Sequence, residues 1–174
     1  MDFSQDHFAL FGLPRRFALD EAQLGRRYHE IQTQVHPDKH AHLSDAEQRL
    51  AMQWTTRINE AYQVLRNPLA RAKYLLALAG IDVDQGRAMS GDFLVQQMEW
   101  REKVAEASAV GDVARLEDFH RQLKREVAGE YAKLARELEP YPQAAAAPVQ
   151  LLRQLMFQEK LLHDIDDALT AAEA

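Results

Sequence analysis

Apolar residues recur at every third or fourth position along almost the whole of the 174-residue chain. This spacing places them on one face of an α-helix, whereas a strand with one buried face needs strict alternation of apolar and polar residues. No alternating stretch is long enough to predict a strand. Proline, glycine and capping residues divide the apolar pattern into separate segments. The sequence therefore predicts an all-α protein.

The N-terminal half predicts two long helices on either side of a proline-containing turn. Asp20 caps the first helix, which ends near Val35 because Pro37 drives the residue before it out of the helical region. Ser44 and Glu47 form a capping box for the second helix. The apolar stripe of the first helix consists of Leu24, Tyr28, Ile31 and Val35. The stripe of the second consists of Leu50, Trp54, Ile58, Ala61, Tyr62 and Leu65.

Short helices flank this helical hairpin. Phe8 and Phe11 mark the buried side of a brief first helix near the N-terminus. Asn67 followed by Pro68 is a typical helix start, because proline at the first helical position loses no hydrogen bond. The helix that begins there closes at Gly80. The hairpin and its flanking helices form the predicted N-terminal domain, residues 1–79.

Residues 80–91 lose the helical periodicity and contain three glycines, which predicts a linker. Beyond it, residues 92–174 form the predicted C-terminal domain, an antiparallel three-helix bundle. Its helices are predicted over about 92–109, 112–139 and 149–171. The core stripe of the last helix consists of Leu151, Leu155, Leu162, Ile165 and Leu169.

Composition excludes several classes of function. The formal net charge is −6, and the excess of acidic residues lies in the C-terminal half, which argues against binding a phosphate backbone. The absence of cysteine excludes disulfides and direct cysteine ligation of a metal cluster. No apolar run approaches the ~20 residues that span a bilayer. We therefore expect a cytoplasmic protein that binds neither nucleic acid nor membrane.

The segment QVHPDKHAH, residues 34–42, concentrates His36, Asp38, His40 and His42 in one short stretch. Zinc needs three or four ligands in fixed geometry. Here Pro37 puts the first histidine in a turn rather than on a helical face. The other histidines, His7, His29, His120 and His163, are isolated. A histidine-based metal carrier is thus a minor alternative, and we expect no metal site.

Catalysis is also disfavoured by the sequence. Neither a glycine-rich phosphate loop nor a nucleophile with an adjacent base is present. Acidic pairs such as Asp166 and Asp167 lie on helices that we expect to be exposed, where carboxylates are usually solvated. We therefore expect no enzymatic activity and no cofactor.

A docking turn is the remaining interpretation of the histidine-rich segment. His36, Pro37 and Asp38 would offer an imidazole and a carboxylate beside the guanidinium groups of Arg26 and Arg27, a surface suited to charge-assisted hydrogen bonds. With the flanking helices and the stretch NEAYQVLRNPLARAKY (59–74), this pattern resembles the J domain. J domains dock on DnaK-class chaperones and stimulate their ATP hydrolysis. An HPD tripeptide alone would be a weak signal.

The resemblance implies a set of chaperone-binding residues. The turn contributes His36, Pro37, Asp38 and Lys39, and the preceding helix contributes Arg26 and Arg27. Two features depart from the usual pattern: Val35 stands where many J domains have tyrosine, and the basic helix face is thin. Both suggest a specialised chaperone partner. Neither a Gly/Phe-rich segment nor cysteine repeats follow the domain, unlike in general-purpose J proteins.

Over its full length the chain resembles the HscB family of iron–sulfur cluster co-chaperones. The matching segments, in order, are HFALFGLP, HPDKH, RINEAYQVLRNPLARAKYLL, DFLVQQMEWRE and RQLMFQEKL. The resemblance implies that the C-terminal domain binds an IscU-like scaffold protein. It also implies that the chain presents this scaffold to an HscA-like chaperone and accelerates ATP hydrolysis there. The scaffold ligates the cluster, which agrees with a chain without cysteine. We expect a monomer.

The C-terminal helices carry more apolar side chains than one bundle face needs. Some of these surplus residues could thicken the core or pack on the J domain, but a partner-binding patch with an acidic rim is the better interpretation. The resemblance assigns scaffold binding to the same residues. They are Leu94, Val95, Met98, Glu99, Glu102 and Phe157. A J-domain co-chaperone with a different client stays open as an alternative.

Overall fold

The computed structural model describes residues 4–35, 44–85, 89–139 and 146–173. All regular secondary structure in these ranges is α-helical, as the sequence predicts. The helices are α1 (His7–Leu10), α2 (Glu21–Val35), α3 (Asp45–Arg66), α4 (Pro68–Leu78), α5 (Gly91–Ala109), α6 (Val113–Leu138) and α7 (Ala146–Glu173). Contacts between Cα atoms divide the chain into two compact units, Met1–Leu78 and Ala79–Ala174.

In the N-terminal unit, α2 and α3 form an antiparallel hairpin. Tyr28 stacks on Tyr62 with ring centroids 4.1 Å apart, and its hydroxyl donates to Asn59 Oδ1 over 3.0 Å. Further along, the Thr55 hydroxyl lies 3.4 Å from the carbonyl oxygen of Val35. Residues nearer the end of α2 thus contact residues nearer the start of α3, as in an antiparallel pair.

The predicted capping residues begin their helices as expected. Ser44 and Glu47 make both hydrogen bonds of a capping box at the start of α3. The Asp20 carboxylate accepts the N–H of Gln23 over 3.0 Å at the start of α2. The Asn67 side chain accepts the N–H of Ala70 over 2.9 Å, and α4 begins at Pro68. Each cap satisfies a backbone donor that the first turn of a helix leaves unpaired.

The prediction for the start of the α3 stripe is wrong at one position. Leu50 is 47% exposed, and Ala51 is buried in its place. The buried positions of α3 are Ala51, Trp54, Ile58, Ala61 and Leu65. Their spacing of three, four, three and four residues defines one helical face on which Ala51, and not Leu50, is the first member.

The N-terminal segment is held against α3 and α4. Phe8 and Phe11 are fully buried, as predicted. The His7 ring stacks on Tyr74 with centroids 4.2 Å apart, and the His7 N–H donates to the Tyr74 hydroxyl over 3.0 Å. Arg57 donates to the carbonyl of Gln5 over 2.6 Å. Burial, and then the positive charge of Arg57, hold the pKa of His7 below its ordinary value.

In the C-terminal unit, α5, α6 and α7 form an antiparallel three-helix bundle, as predicted. Trp100 of α5 meets Phe119 of α6 edge-to-face, with centroids 5.6 Å apart. Tyr131 of α6 donates to Glu159 of α7 over 2.8 Å, and His120 of α6 lies 3.3 Å from Asp166 of α7. Residues early in one helix thus face residues late in the next.

The α7 core stripe differs from the prediction. Leu152 and Leu161 are fully buried, while Leu162 and Leu169 are half-buried. Because α7 packs against both α5 and α6, its buried arc is wider than a single stripe and includes side chains on either side of Leu155. The sequence alone did not define which neighbours widen the arc.

Part of the segment predicted as a linker contacts α7. Val83 is buried, and its carbonyl accepts a hydrogen bond from Arg153 Nε over 2.6 Å. The Gln150 amide nitrogen lies 3.5 Å from the sulfur of Met89. Residues 81–85 and 89–90 therefore add to the C-terminal unit.

Two properties of the described ranges bear on function. None of their helices has the length and hydrophobicity to cross a membrane. Nor do the described side chains include a group of three or more histidine, aspartate or glutamate residues that could hold a metal ion.

Candidate chaperone and scaffold surfaces

The predicted docking turn lies between two well-defined helix ends. Val35, the last residue of α2, is buried, and Ser44 caps α3 with a complete capping box. His36, Pro37, Asp38 and Lys39, together with His40 and His42, lie outside the described residues. The described structure therefore defines the two helix ends on either side of the predicted turn.

Arg26 and Arg27 lie on the solvent side of α2. Both are exposed, while the inward face of the helix carries Leu24 and Val35. Arg27 pairs with Glu30 one turn later, with 3.1 Å between Nη1 and Oε2. An exposed pair of this kind contributes little to stability, so a carboxylate on a partner could replace Glu30 at small cost. The exposed face of α2 therefore presents arginine side chains that a partner's carboxylates could bind.

An exposed apolar patch lies on the C-terminal bundle. It consists of Leu94, Val95, Met98 and Phe157, whose exposed fractions are 40%, 55%, 70% and 36%. These are four of the seven large apolar side chains that are exposed among the described residues. Glu99 and Glu102 are exposed on the same helix. The patch thus concentrates apolar surface in one helical region, with carboxylates beside it.

The geometry of α5 explains how this patch forms. Its buried face contains Phe93, Gln97, Trp100 and Val104, which fill the bundle interior. Phe93 meets Phe157 edge-to-face, with ring centroids 6.0 Å apart. This contact carries Phe157 of α7 to the beginning of α5, next to the turn that bears Leu94. Residues about 60 positions apart in sequence are therefore brought into one region.

Two family models match the chain, and together they cover most of it. The DnaJ domain matches residues 6–74, and the HSCB C-terminal oligomerisation domain matches residues 89–166. The co-chaperone protein HscB homologue of Azoarcus sp. (strain BH72) is 52% identical, over 99% of this chain and 98% of the relative. The homologue of Ralstonia nicotianae is 49% identical over 95% of each. The chain belongs to the HscB co-chaperone family.

Solved structures of HscB proteins share this fold. Chaperone HscB from Vibrio cholerae has a TM-score of 0.83 and 34% identity, over 95% of this chain and 99% of its own. Human co-chaperone protein HscB has a TM-score of 0.85 and 27% identity, over 95% and 83%. The predicted J domain and helical C-terminal domain are confirmed. HscB membership gives the chain a co-chaperone role in iron–sulfur cluster assembly.

The assignment of individual residues to partners stays a prediction. What the structure adds is exposure. Arg26 and Arg27 are available to a partner on α2, and the apolar patch is available on the bundle.

Some features of the bundle surface were not predicted from the sequence. Asp92, Gln96 and Gln154 line a groove beside the patch, yet each is an ordinary polar residue at an exposed or half-buried helical position. The one available signal was the spacing of Asp92, Gln96 and Glu99, which repeats once per turn along α5. Gln154 comes from a different helix, so periodicity could not have linked it to them.

Proposed function

We propose that this HscB-family chain binds an IscU-like iron–sulfur scaffold through its C-terminal bundle and presents it to an HscA-like DnaK-class chaperone. In doing so it stimulates ATP hydrolysis by the chaperone. The observation that carries this proposal is the exposed apolar patch on a chain whose other unit is a J domain. Two partners are needed to use both surfaces at once.

The patch has the chemistry of a binding hot spot. A partner would remove Leu94, Met98 and Phe157 from water, and burial of such side chains is the main favourable term in association. Glu99 and Glu102 stay at the rim, where charges steer encounter and orientation more than they add affinity. The scaffold is therefore expected to present an apolar surface with basic residues around it.

The J-domain surface has the opposite chemistry. Arg26 and Arg27 on α2, together with His36, Asp38 and Lys39, would meet the chaperone through charge-assisted hydrogen bonds. The buried apolar residues of α2 and α3, such as Leu24, Trp54 and Ile58, lie inside the hairpin and are not available for this contact. Chaperone docking is therefore expected to depend on salt, and scaffold docking much less.

Steady-state ATPase assays of the chaperone test the proposal. This chain and the scaffold should each be added separately and then together, and the joint stimulation should exceed the sum of the separate effects. A scaffold-independent J effect with no joint effect would favour the alternative of a different client. We place this chain in the cytoplasm.

A second occupant of the patch is suggested by the family model, which describes the C-terminal domain as an oligomerisation domain. In that case another copy of the chain would cover the patch. We favour the scaffold and a monomeric free protein. Sedimentation of the free chain over a range of concentrations distinguishes the two, because a patch closed by a second copy would make the mass concentration-dependent.

A further inference from the structure

A shallow groove lined by residues of α5 and α7 adjoins the apolar patch. Its volume is about 570 Å³, and it is lined by Asp92, Phe93, Val95, Gln96, Glu99 and Gln154. Val95 belongs to the patch and Glu99 to its rim, so the groove continues the surface that the proposed function assigns to the scaffold. A partner seated on the patch would reach it.

The groove combines negative charge with apolar walls. Asp92 and Glu99 are seven residues apart, which puts them on the same face of α5. None of the described residues that line the groove is basic. Phe93 and Val95 provide apolar contacts, and the amide oxygens of Gln96 and Gln154 can accept hydrogen bonds. This is the environment that a long cationic side chain needs along its stem and at its head.

The two carboxylates differ in what balances them. Asp92 is in the first turn of α5, where it offsets the partial positive charge of the helix N-terminus. Glu99 is two turns further on and beyond the reach of that charge. The attraction of the groove for a cation therefore depends on both carboxylates. Asp92 offsets the repulsion between the cation and the helix N-terminus, and Glu99 attracts the cation directly.

Resting on the proposed function, we infer that the groove binds an arginine side chain of the scaffold protein. A guanidinium group is planar and has five donors in a fixed fork, so it can donate to more than one of these acceptors at once. A lysine ammonium is compact and strongly hydrated, and it would use fewer of these acceptors. The arginine would fix the direction in which the scaffold lies on the apolar patch.

The first test is scaffold affinity at low and at high salt, by calorimetry with the cluster-free scaffold. Asp92→Asn isolates the groove, because Asp92 is not part of the patch or its rim. We expect it to weaken binding about 3-fold, and Asp92→Asn/Glu99→Gln about 10-fold, with a flatter salt dependence. Asp167→Asn is the matched control, since Asp167 is an exposed carboxylate on α7, roughly 20 Å along the helix from Gln154.

The second test identifies the cation. Each arginine and each lysine of the scaffold is changed in turn to glutamine, and each variant is measured against the wild-type chain and the Asp92→Asn/Glu99→Gln variant. Changing one particular arginine should weaken binding to the wild-type chain. The same change should have almost no further effect on binding to the double variant, which is the signature of a direct pair. Coupling to a lysine instead would overturn the arginine assignment.

Failure of the inference and failure of the proposed function give different results. If the groove variants bind normally while Leu94→Ala/Met98→Ala/Phe157→Ala weakens binding, the groove is not used and the scaffold function stands. If the patch variant also binds normally, the scaffold surface itself is wrong. If the groove variants change self-association of the chain rather than scaffold affinity, a second copy occupies the groove, and the inference is overturned.

Discussion

The two surfaces that we propose for partners differ in how the sequence forms them. The predicted docking turn is a continuous run in the sequence, His36 to Lys39, between the last residue of α2 and the cap of α3. The apolar patch is assembled from two helices, with Leu94 and Phe157 about 60 residues apart. The turn can be recognised from local sequence, whereas the patch exists only once the bundle has folded. A change in the turn should therefore act on one partner without affecting the fold.

The largest effect is expected at the turn. His36→Gln or Asp38→Asn should abolish stimulation of the chaperone, because each removes charge-assisted contacts to the partner without opening a cavity. Helix content by circular dichroism and affinity for the scaffold should stay nearly unchanged. ATPase assays with purified chaperone measure the effect. Normal stimulation by either variant would contradict the assignment of the turn.

The patch should give the next largest effect, on the other partner. Changing Leu94, Met98 and Phe157 together to alanine should weaken scaffold binding by about 1–4 kcal/mol, because hot-spot truncations are large but not additive. The melting temperature should fall little, since these side chains are exposed rather than core. Intrinsic J stimulation should survive while the joint effect with scaffold is lost.

Phe93 provides the matched control for the patch. It pairs with Phe157 but is 8% exposed, so Phe93→Ala should destabilise the bundle by about 3–5 kcal/mol. Phe93→Ala is therefore expected to reduce stability, whereas Phe157→Ala is expected to reduce scaffold binding. A large loss of stability in the Phe157→Ala variant would mean that the patch is core, and that the scaffold binds elsewhere.

The contrast between the surfaces also explains what the sequence could predict. Helix starts are determined by residues close together in sequence. Ser44 and Glu47 mark the start of α3, Asn67 and Pro68 mark the start of α4, and both helices begin there. Burial depends on what another helix covers. Leu50 has apolar character at the expected spacing and is nevertheless exposed, while its neighbour Ala51 is buried.

The hydrogen bonding of polar groups inside the bundle could not be predicted from the sequence either, because it also depends on packing between helices. Gln97 lies on the inward face of α5 and is only 5% exposed. Its Oε1 has no hydrogen-bond partner in the described part of the chain, and no sequence pattern predicts that. Whether a buried amide finds a donor depends on rotamers across the helix interface, which composition and spacing do not determine.

A smaller effect is expected in the N-terminal unit, from His7. Burial and Arg57 lower its pKa, and Asp6 and Glu60 oppose this only in part. The folded unit therefore binds fewer protons than the unfolded chain, whose histidine titrates near 6.5. Stability should fall as the pH drops below about 6.5 and recover as it rises, because the unfolded state gains the proton first.

Urea unfolding at several pH values checks this in the full chain. A Trp100→Phe background leaves Trp54 as the single tryptophan, so its fluorescence reports the N-terminal unit. His7→Gln should reduce the loss of stability between neutral and mildly acidic pH. The matched control is His29→Gln, which changes an exposed histidine of the same unit and should leave that loss as it is. An unchanged slope in the His7 variant would contradict the prediction.

The smallest effect is expected from His40 and His42, which lie beside the docking turn in sequence. Replacing both with alanine should leave chaperone stimulation close to the unaltered level, because the J-domain resemblance assigns docking to His36, Pro37 and Asp38. The metal-carrier alternative makes the opposite prediction. It needs these imidazoles as ligands, and their loss would then abolish zinc or nickel binding in a titration at neutral pH. Stimulation retained in the double variant, with no metal bound by the unaltered chain, would leave the turn as a docking element alone. Lost stimulation together with lost metal binding would instead mean that a bound ion organises the turn.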